Sequence, residues 1–493
     1  MEFDRRTFVR LLSAAVATSP AGVGNATEPE KKYRSEVKSK RPRNVILLIC
    51  DDLGSGDLGC YGSKNKTPNL DRMASEGVRC THFNTAHPIC SASRAALLTG
   101  RYAPRSHTAG AYFPNAKSGM SLEETTLANL FQDSGYRTKA IGKWHLGDAP
   151  EYLPTKRGFD SFFGVPYSVD MEPLPLLRDT VALETHTNRD LLTPRYTEEA
   201  LDFVEKDDSK PFFLYLAYSY PHDPARASQR FHGVSGFGDY GDAVQEIDWS
   251  VGEITKALER KGLLSDTLML FTSDHGPWYQ GSPGALRGRK SSTFEGGFRV
   301  PLIARWPNAI RPGRVSDQWA SNLDVLPTLT ALCGLKISSK PLDGVDISSI
   351  LVHEEDAVSR KAVLYFSPGA HGTNIHCARK GQWKLRVAQH DGEIYINDYT
   401  DGKVHYWLPR PELYNLAQDP AESYDVAKFH PDVVQEILQD IKAQVPSFPD
   451  DVVQAFASLR QNVARVTTRP GAAPRPNSTD PLPSWDWQPE DRQ

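Results

Sequence analysis

The run Val45-Ile46-Leu47-Leu48-Ile49-Cys50, closed abruptly by Asp51-Asp52, constrains this chain more than any other segment. Unbroken apolar character with no alternation gives a strand no face to show to water, so it belongs inside a parallel sheet covered on both sides. A central strand is therefore predicted over residues 44–50. Further strands are predicted at 137–141, 211–218, 267–272 and 298–304. Helical signals lie between them. Thr67-Pro68 caps and opens a helix that Gly77 ends, and Ser121 with Glu124 forms a capping box for a helix running to Gly135. From Asp242 to Arg260, Val244, Ile247, Val251, Ile254 and Leu258 recur at spacings of three and four, the apolar stripe of a helix lying on a sheet. Strands alternating with helices predict an α/β fold, a doubly wound, mostly parallel sheet flanked by helices.

Beyond about residue 355 the pattern changes to short alternating segments, Ala362–Phe366 and Trp383–Val387, with hairpin-like Asp391-Gly392 and Asp401-Gly402. A smaller C-terminal antiparallel sheet is expected there, with a helix near 431–444. The expected organisation is an export signal at 1–26, a linker at 27–43, a catalytic domain at 44–355, a small α+β subdomain at 356–466 and a Pro-rich tail at 467–493. Asp4-Arg5-Arg6-Thr7-Phe8-Val9-Arg10 followed by a mildly apolar stretch resembles a twin-arginine export signal, which predicts a periplasmic or secreted bacterial protein. No later run reaches the ~18 apolar residues that span a bilayer.

Charge narrows the partners. The 57 Lys and Arg are nearly balanced by 61 Asp and Glu, and no long basic run provides a footprint for nucleic acid, so an anionic substrate has to be caught by a local pocket. Six cysteines, at 50, 60, 80, 90, 333 and 377, include no CxxC pair, which excludes a zinc ribbon and a redox dithiol. Cys50, inside the apolar run, is expected to be a buried free thiol.

In an open parallel sheet ligands bind beyond the carboxyl ends of the strands, so the residues that follow each strand are expected to meet. Asp51 and Asp52 follow the first strand, Lys143 and His145 the strand at 137–141, His222 the strand at 211–218, and Asp274 and His275 the strand at 267–272. Three carboxylates with an imidazole make a hard, oxygen-rich site suited to calcium or magnesium. Cys90 opens a helix stopped by Gly100, where free N–H groups and the positive dipole end favour an anion, and Arg94 stands one turn further along.

The segment Cys90-Ser91-Ala92-Ser93-Arg94, continued by Leu98-Thr99-Gly100-Arg101, resembles the signature of the formylglycine-dependent sulfatases of the alkaline-phosphatase superfamily. The likeness extends through Asp51-Asp52-Leu53-Gly54, Gly142-Lys143-Trp144-His145-Leu146-Gly147, Pro221-His222-Asp223-Pro224, Thr272-Ser273-Asp274-His275-Gly276, Lys290 with Glu295-Gly296-Gly297, and Glu412-Leu413-Tyr414-Asn415-Leu416 with Asp419-Pro420. Gly164-Val165-Pro166-Tyr167-Ser168-Val169-Asp170 looks closest to the arylsulfatase A branch. The resemblance implies an alkaline-phosphatase-like fold and hydrolysis of sulfate monoesters, on a small-molecule or glycan ester. It implies that a formylglycine-generating enzyme converts Cys90 to Cα-formylglycine, whose hydrate attacks sulfur and later expels sulfate.

By the same resemblance Asp51, Asp52, Asp274 and His275 hold Ca2+, with Mg2+ as the second choice, and the residue-90 oxygen completes the site; many relatives have Asn where His275 stands. Arg94 holds the formylglycine oxygens, Lys143 and Lys290 grip sulfate, and His145 takes the proton that must leave for elimination. His222 or Lys290 protonates the departing alcohol, and Ser168 lies on the substrate side. Arg287 and Arg289 are expected to be solvated loop residues. A phosphodiester or phosphonate monoester hydrolase with the same centre, or a silent binder of sulfated glycans, would carry much of the same pattern. Neither the particular ester nor the oligomeric state is encoded in these motifs.

Overall fold

The computed structural model describes residues 41–108, 110–337, 340–353, 358–367, 373–390 and 405–461. The export signal, the Pro-rich tail and both hairpin dipeptides fall outside these residues. The described residues form one compact unit.

The large sheet is built from β1 (Asn44–Cys50), β2 (Val78–Asn84), β3 (Arg137–Lys143), β4 (Ser161–Val165), β5 (Leu176–Arg178), β6 (Val181–Glu184), β7 (Phe212–Ala217), β8 (Thr267–Ser273), β9 (Arg299–Arg305), β10 (Arg314–Ser316) and β11 (Ala320–Ser321). Its order is β10-β2-β9-β8-β1-β7-β3-β4-β5-β6, with β11 beside β2. The central strands β8, β1, β7, β3 and β4 run parallel, while β9 enters antiparallel to both β8 and β2. Every residue of β1 is buried, as expected of a strand with no polar face.

Among the described residues, the longer helices that accompany this sheet are α1 (Pro68–Ser75), α2 (Cys90–Thr99), α3 (Leu127–Asp133), α4 (Leu192–Glu205) and α5 (Gly238–Arg260), with a single turn at Glu295–Phe298 leading into β9. α6 (Val325–Cys333) follows the last edge strands. The stripe predicted from Asp242 is the buried face of α5, all five of its residues being buried, and the helix begins four residues earlier, at Gly238.

Two caps differ from expectation. Thr67 precedes α1, but its hydroxyl accepts the Gly59 N–H and donates to Asp71, leaving the helix entrance to Asp248 of α5, whose carboxylate accepts the N–H groups of Asn69 and Leu70. The capping box of α3 is made by Thr126 and Asn129. Ser121 and Glu124 form a preceding turn, and Glu124 is drawn instead toward Arg101 and Lys340. A salt-bridge partner outside the segment thus outcompetes the local box, and the helix starts at Leu127.

The small antiparallel sheet comprises β12 (Val363–Phe366), β13 (Ile375–Lys380), β14 (Trp383–His390) and β15 (His405–Asn415), in that order, with α7 (Pro431–Gln444) and α8 (Asp450–Gln461) after it. Its apolar residues share one core with Ala86, Ala96, Tyr102, Phe298 and Leu323 of the larger layer. Phe298 packs on Tyr365 with ring centroids 4.3 Å apart, and Tyr102 meets both Phe366 and Phe448 at 5.5 Å.

Register decides what meets above the sheet. Cys50 pairs with Ser273, which sets Asp51 beside Asp274, and the Asp274 N–H donates to the Cys50 carbonyl at 3.0 Å. Gly142 of β3 has φ 97°, and a Cβ there would lie 1.8 Å from the Ala217 carbonyl oxygen of β7. Only glycine lets β3 close on β7 at this point, which carries Lys143 to the same end of the sheet.

Candidate active site

Asp51, Asp52, Cys90, His222, Asp274 and His275 come together at the carboxyl ends of β1, β7 and β8, facing the entrance of α2. One ligand atom from each of Asp51, Cys90, Asp274 and His275 lies within 4.8 Å of the others, and the same holds for Asp51, Asp52, Cys90 and His222. Cys90 is the first residue of α2, so its side chain sits where the helix presents unpaired N–H groups. Its Sγ is 3.2 Å from His275 Nε2. The His275 Nδ1–H donates to the Gly276 carbonyl at 2.9 Å, which leaves the Nε2 lone pair turned toward the sulfur, 3.4 Å from Asp52 Oδ1 and 3.7 Å from Asp274 Oδ1.

Fixed cations surround the acids. Arg94, completely buried, donates through Nε and Nη2 to Asp274 Oδ2 at 3.1 and 2.9 Å and through Nη1 to the Lys143 carbonyl, with Nη2 3.3 Å from Asp51 Oδ1. Lys143 donates to Asp51 Oδ2 and to Ser168 Oγ. Lys290 straddles Asp52, 2.9 Å from each carboxylate oxygen, and its Nζ stands 2.8 Å from His222 Nε2. The His222 Nδ1–H is held by the Asp223 carbonyl at 2.6 Å.

These neighbours shift the titrations. Burial pushes Asp51 up, yet Lys143, His222 and Arg94 together hold it well below the ordinary carboxylate range. Burial acts likewise on Asp52, and His222 and Lys290 bring it down. Asp274 is raised, because burial and the Asp51 charge outweigh His275 and Arg94. Burial would depress His222, but Asp52 pulls it above the usual imidazole range. His145, at φ 60°, donates Nε2–H to the Tyr112 carbonyl at 2.9 Å, and burial with Lys143 and Arg94 nearby pushes it well down, so it is a neutral imidazole whose buried Nδ1 has no hydrogen-bond partner.

A divalent cation fits the donor set. Asp51 Oδ1 is fully buried and receives no hydrogen bond; beyond its ion pair with Arg94 Nη2 at 3.3 Å it keeps lone-pair capacity for a metal ion. Convergent carboxylates with one imidazole lone pair match hard-cation chemistry better than a thiolate-rich zinc site.

All the residues singled out in the sequence lie in this region. Ten are linked directly by hydrogen bonds or ion pairs, whereas His145 joins through Tyr112 and the charges of Lys143 and Asp51. Ser168 Oγ accepts from Lys143 at 2.9 Å and stands 3.4 Å from His222 Nε2. Asp170 was not singled out, yet it bonds to Ser168 and is lowered chiefly by His222 against the effect of burial. Its place two residues after Ser168 was the available signal. Arg287 and Arg289 are not merely solvated: Arg289 donates to the Trp278 and Gly281 carbonyls, and Arg287 donates to the Glu422 carbonyl while lying 3.8 Å from the Phe294 ring centroid.

A sulfatase family model matches residues 43–335, and a model of the C-terminal region of N-sulphoglucosamine sulphohydrolase matches residues 289–449. Arylsulfatase A of Homo sapiens is 36% identical over 481 residues, covering 88% of this chain and 94% of the relative. N-acetylgalactosamine-6-sulfatase of Mus musculus is 37% identical over 445 residues, covering 81% and 84%. Among solved structures, the PsFucS1 sulfatase from Pseudoalteromonas sp. superposes with a TM-score of 0.76 at 26% identity, over 87% of this chain and 95% of that one. Ps i-CgsB in complex with k-i-k-neocarrahexaose gives 0.72 at 28% identity, over 82% and 92%.

Proposed function

The chain belongs to the sulfatase family and is a sulfuric ester hydrolase, and from that premise we propose that it removes sulfate from a sulfated carbohydrate, with Cys90 carried as Cα-formylglycine beside a bound Ca2+ or Mg2+. The carrying observation is the meeting of three carboxylates and a lone-pair imidazole on the residue-90 side chain at a helix entrance, with Asp51 Oδ1 buried and receiving no hydrogen bond. The carbohydrate assignment is supported by the N-acetylgalactosamine-6-sulfatase relatives and by the neocarrahexaose complex.

Asp51, Asp52, Asp274 and His275 would hold the cation, and Cys90 Sγ stands where a formylglycine oxygen would lie. A dication beside a hydrated formylglycine supplies a hydroxyl nucleophile at neutral pH and stabilises charge on the sulfate oxygens. The chain's own groups then have distinct tasks. Arg94, immobilised by Asp274 and the Lys143 carbonyl, offsets negative charge at the helix entrance. Lys143 and Lys290 bind sulfate oxygens, with Ser168 orienting Lys143. Neutral His145 offers Nδ1 to the proton that has to leave before sulfate is released. Lys290 and His222, 2.8 Å apart, form a pair that delivers a proton to the departing alcohol. Asp170 holds Ser168 from the solvent side.

We assign residues 44–355 to catalysis and 356–466 to a small subdomain that closes one side of it. No helix among the described residues is long and apolar enough to cross a membrane. The twin-arginine-like segment supports export to the periplasm or medium, with a formylglycine-generating enzyme acting in the cytoplasm before folding. Mass spectrometry of the Cys90 peptide from active protein, paired with sulfate release from sulfated saccharides and phosphate release from phosphate esters, tests the proposal. An aldehyde at residue 90 with preferential sulfate release is expected. A thiol at position 90 throughout a fully active preparation, or faster phosphate release, would overturn it.

A further inference from the structure

Asp52 has φ 64°, left-handed backbone that residues with a Cβ seldom adopt. The reason lies in strand geometry: along an extended continuation of β1, successive side chains point to opposite faces, so Asp51 and Asp52 could not both reach one centre. The left-handed turn swings the Asp52 carboxylate back beside His275 and Lys290. Three hydrogen bonds fix that turn. The Asp52 N–H donates to Asp274 Oδ1 at 3.2 Å, the Leu53 N–H donates to Ser273 Oγ at 3.0 Å, and the Asp52 carbonyl accepts from the Tyr240 hydroxyl at 3.1 Å.

Tyr240 reaches this carbonyl from α5, far away in sequence, and is itself gripped. Its one hydroxyl proton is shared between the Asp52 carbonyl and Asp57 Oδ2, which it meets at 2.6 Å; Asp57 Oδ2 also accepts the Gly54 N–H at 2.8 Å, while Asp57 Oδ1 accepts the Ser282 N–H at 2.9 Å. Asp57 therefore ties the segment after β1 to the loop after β8 and to α5 in one bonded unit. The fit is close: a Cβ at Gly281 would lie 2.2 Å from Tyr240 Oη. Both Tyr240 and Asp57 are buried.

The geometry points to Tyr240 and Asp57 as positioning residues that set the cation affinity by holding the Asp52 peptide in its left-handed turn. The inference rests on the cation centre proposed above, and its test separates the two. Protein freed of metal by chelation is titrated with CaCl2 by calorimetry, comparing the parent with Tyr240→Phe, which keeps the ring and removes the hydroxyl, and with Asp57→Asn. The parent should bind one Ca2+, and each variant should bind it about 10-fold or more weakly, with the melting midpoint of the metal-free protein nearly unchanged and kcat recovering at saturating Ca2+. Should Tyr240→Phe fail to fold, Asp57→Asn decides alone. Variants that bind Ca2+ as tightly as the parent, or whose weaker binding merely tracks a lower metal-free midpoint, overturn the positioning role. A parent that binds neither Ca2+ nor, in a parallel titration, Mg2+ overturns the cation centre and this role with it.

Discussion

Two of the charge clusters buried among the described residues are arranged oppositely. At the joint between the sheets, Glu295 and Glu422 lie among Arg299, Arg379 and Lys384. Glu295 Oε2 receives Arg299 at 2.9 and 2.7 Å and Asn84 at 3.1 Å, and Lys384 Nζ bridges the two acids at 3.3 and 3.0 Å. Acid and base are interleaved there, with cations in excess, and burial of Glu295 is outweighed by Lys384, Arg299 and Arg379, which hold it well below its usual range. Above β1 and β8 the acids converge on one point and the cations stand outside them. Buried charge by itself therefore identifies nothing. Convergence of like charges, which the fold has to stabilise by some further positive group, is what marks the site.

Substitution should separate the clusters by observable. Asp274→Asn is expected to lower kcat/KM by about 10⁴-fold or more, while the unfolding free energy measured in urea stays close to that of the parent. Comparable stability loss without activity loss would erase the distinction. Glu295→Gln should do the reverse, costing about 3–5 kcal/mol in the same denaturation assay because it takes the carboxylate from Arg299 and Arg379 and leaves Lys384 with Glu422 alone, with the folded fraction keeping its KM.

Lys290→Ala should reduce kcat/KM by about 10²- to 10³-fold, and the loss should be greater for an alkyl sulfate than for an aryl sulfate with a good leaving group. Equal losses on both substrates would remove Lys290 from proton delivery and leave it only the grip on sulfate.

Asp248 supplies a third, smaller contrast, a buried carboxylate held by the Asn69 and Leu70 N–H groups with no ion pair among the described residues. Burial raises it to about 6. A raised acid contributes stability that is fully present below its unfolded value near 3.8 and is lost as pH rises through about 6. Asp248→Asn should therefore flatten the fall in unfolding free energy between those pH values, by about 3 kcal/mol at most. An unchanged slope in a pH series would show that Asp248 titrates normally.

What could be read in the sequence was set by range. β1 needed only its own composition, and α5 only its stripe. Asp51, Lys143 and Asp274 were legible because each follows a strand, and parallel sheets bring such ends together. The capping box at Ser121 and Glu124 was misplaced because Glu124 answers to Arg101 and Lys340, contacts that no local window contains. The same holds for Tyr240, whose partners Asp52 and Asp57 lie 188 and 183 positions away. β2 escaped notice because His82 and Arg79 interrupt its apolar pattern, and β5 and β6 are only 3 and 4 residues long.

The shared packing of Phe298 on Tyr365 has a practical corollary for anyone wishing to shorten this protein. Cutting the chain before residue 356 would not release a minimal hydrolase. It would uncover aromatic rings a few positions from Lys290 and leave Glu295 without two of its counterions, so the fragment should precipitate before any loss of chemistry could be assayed. Grafting new substrate preferences onto the scaffold is better attempted by exchanging surface loops than by trading halves.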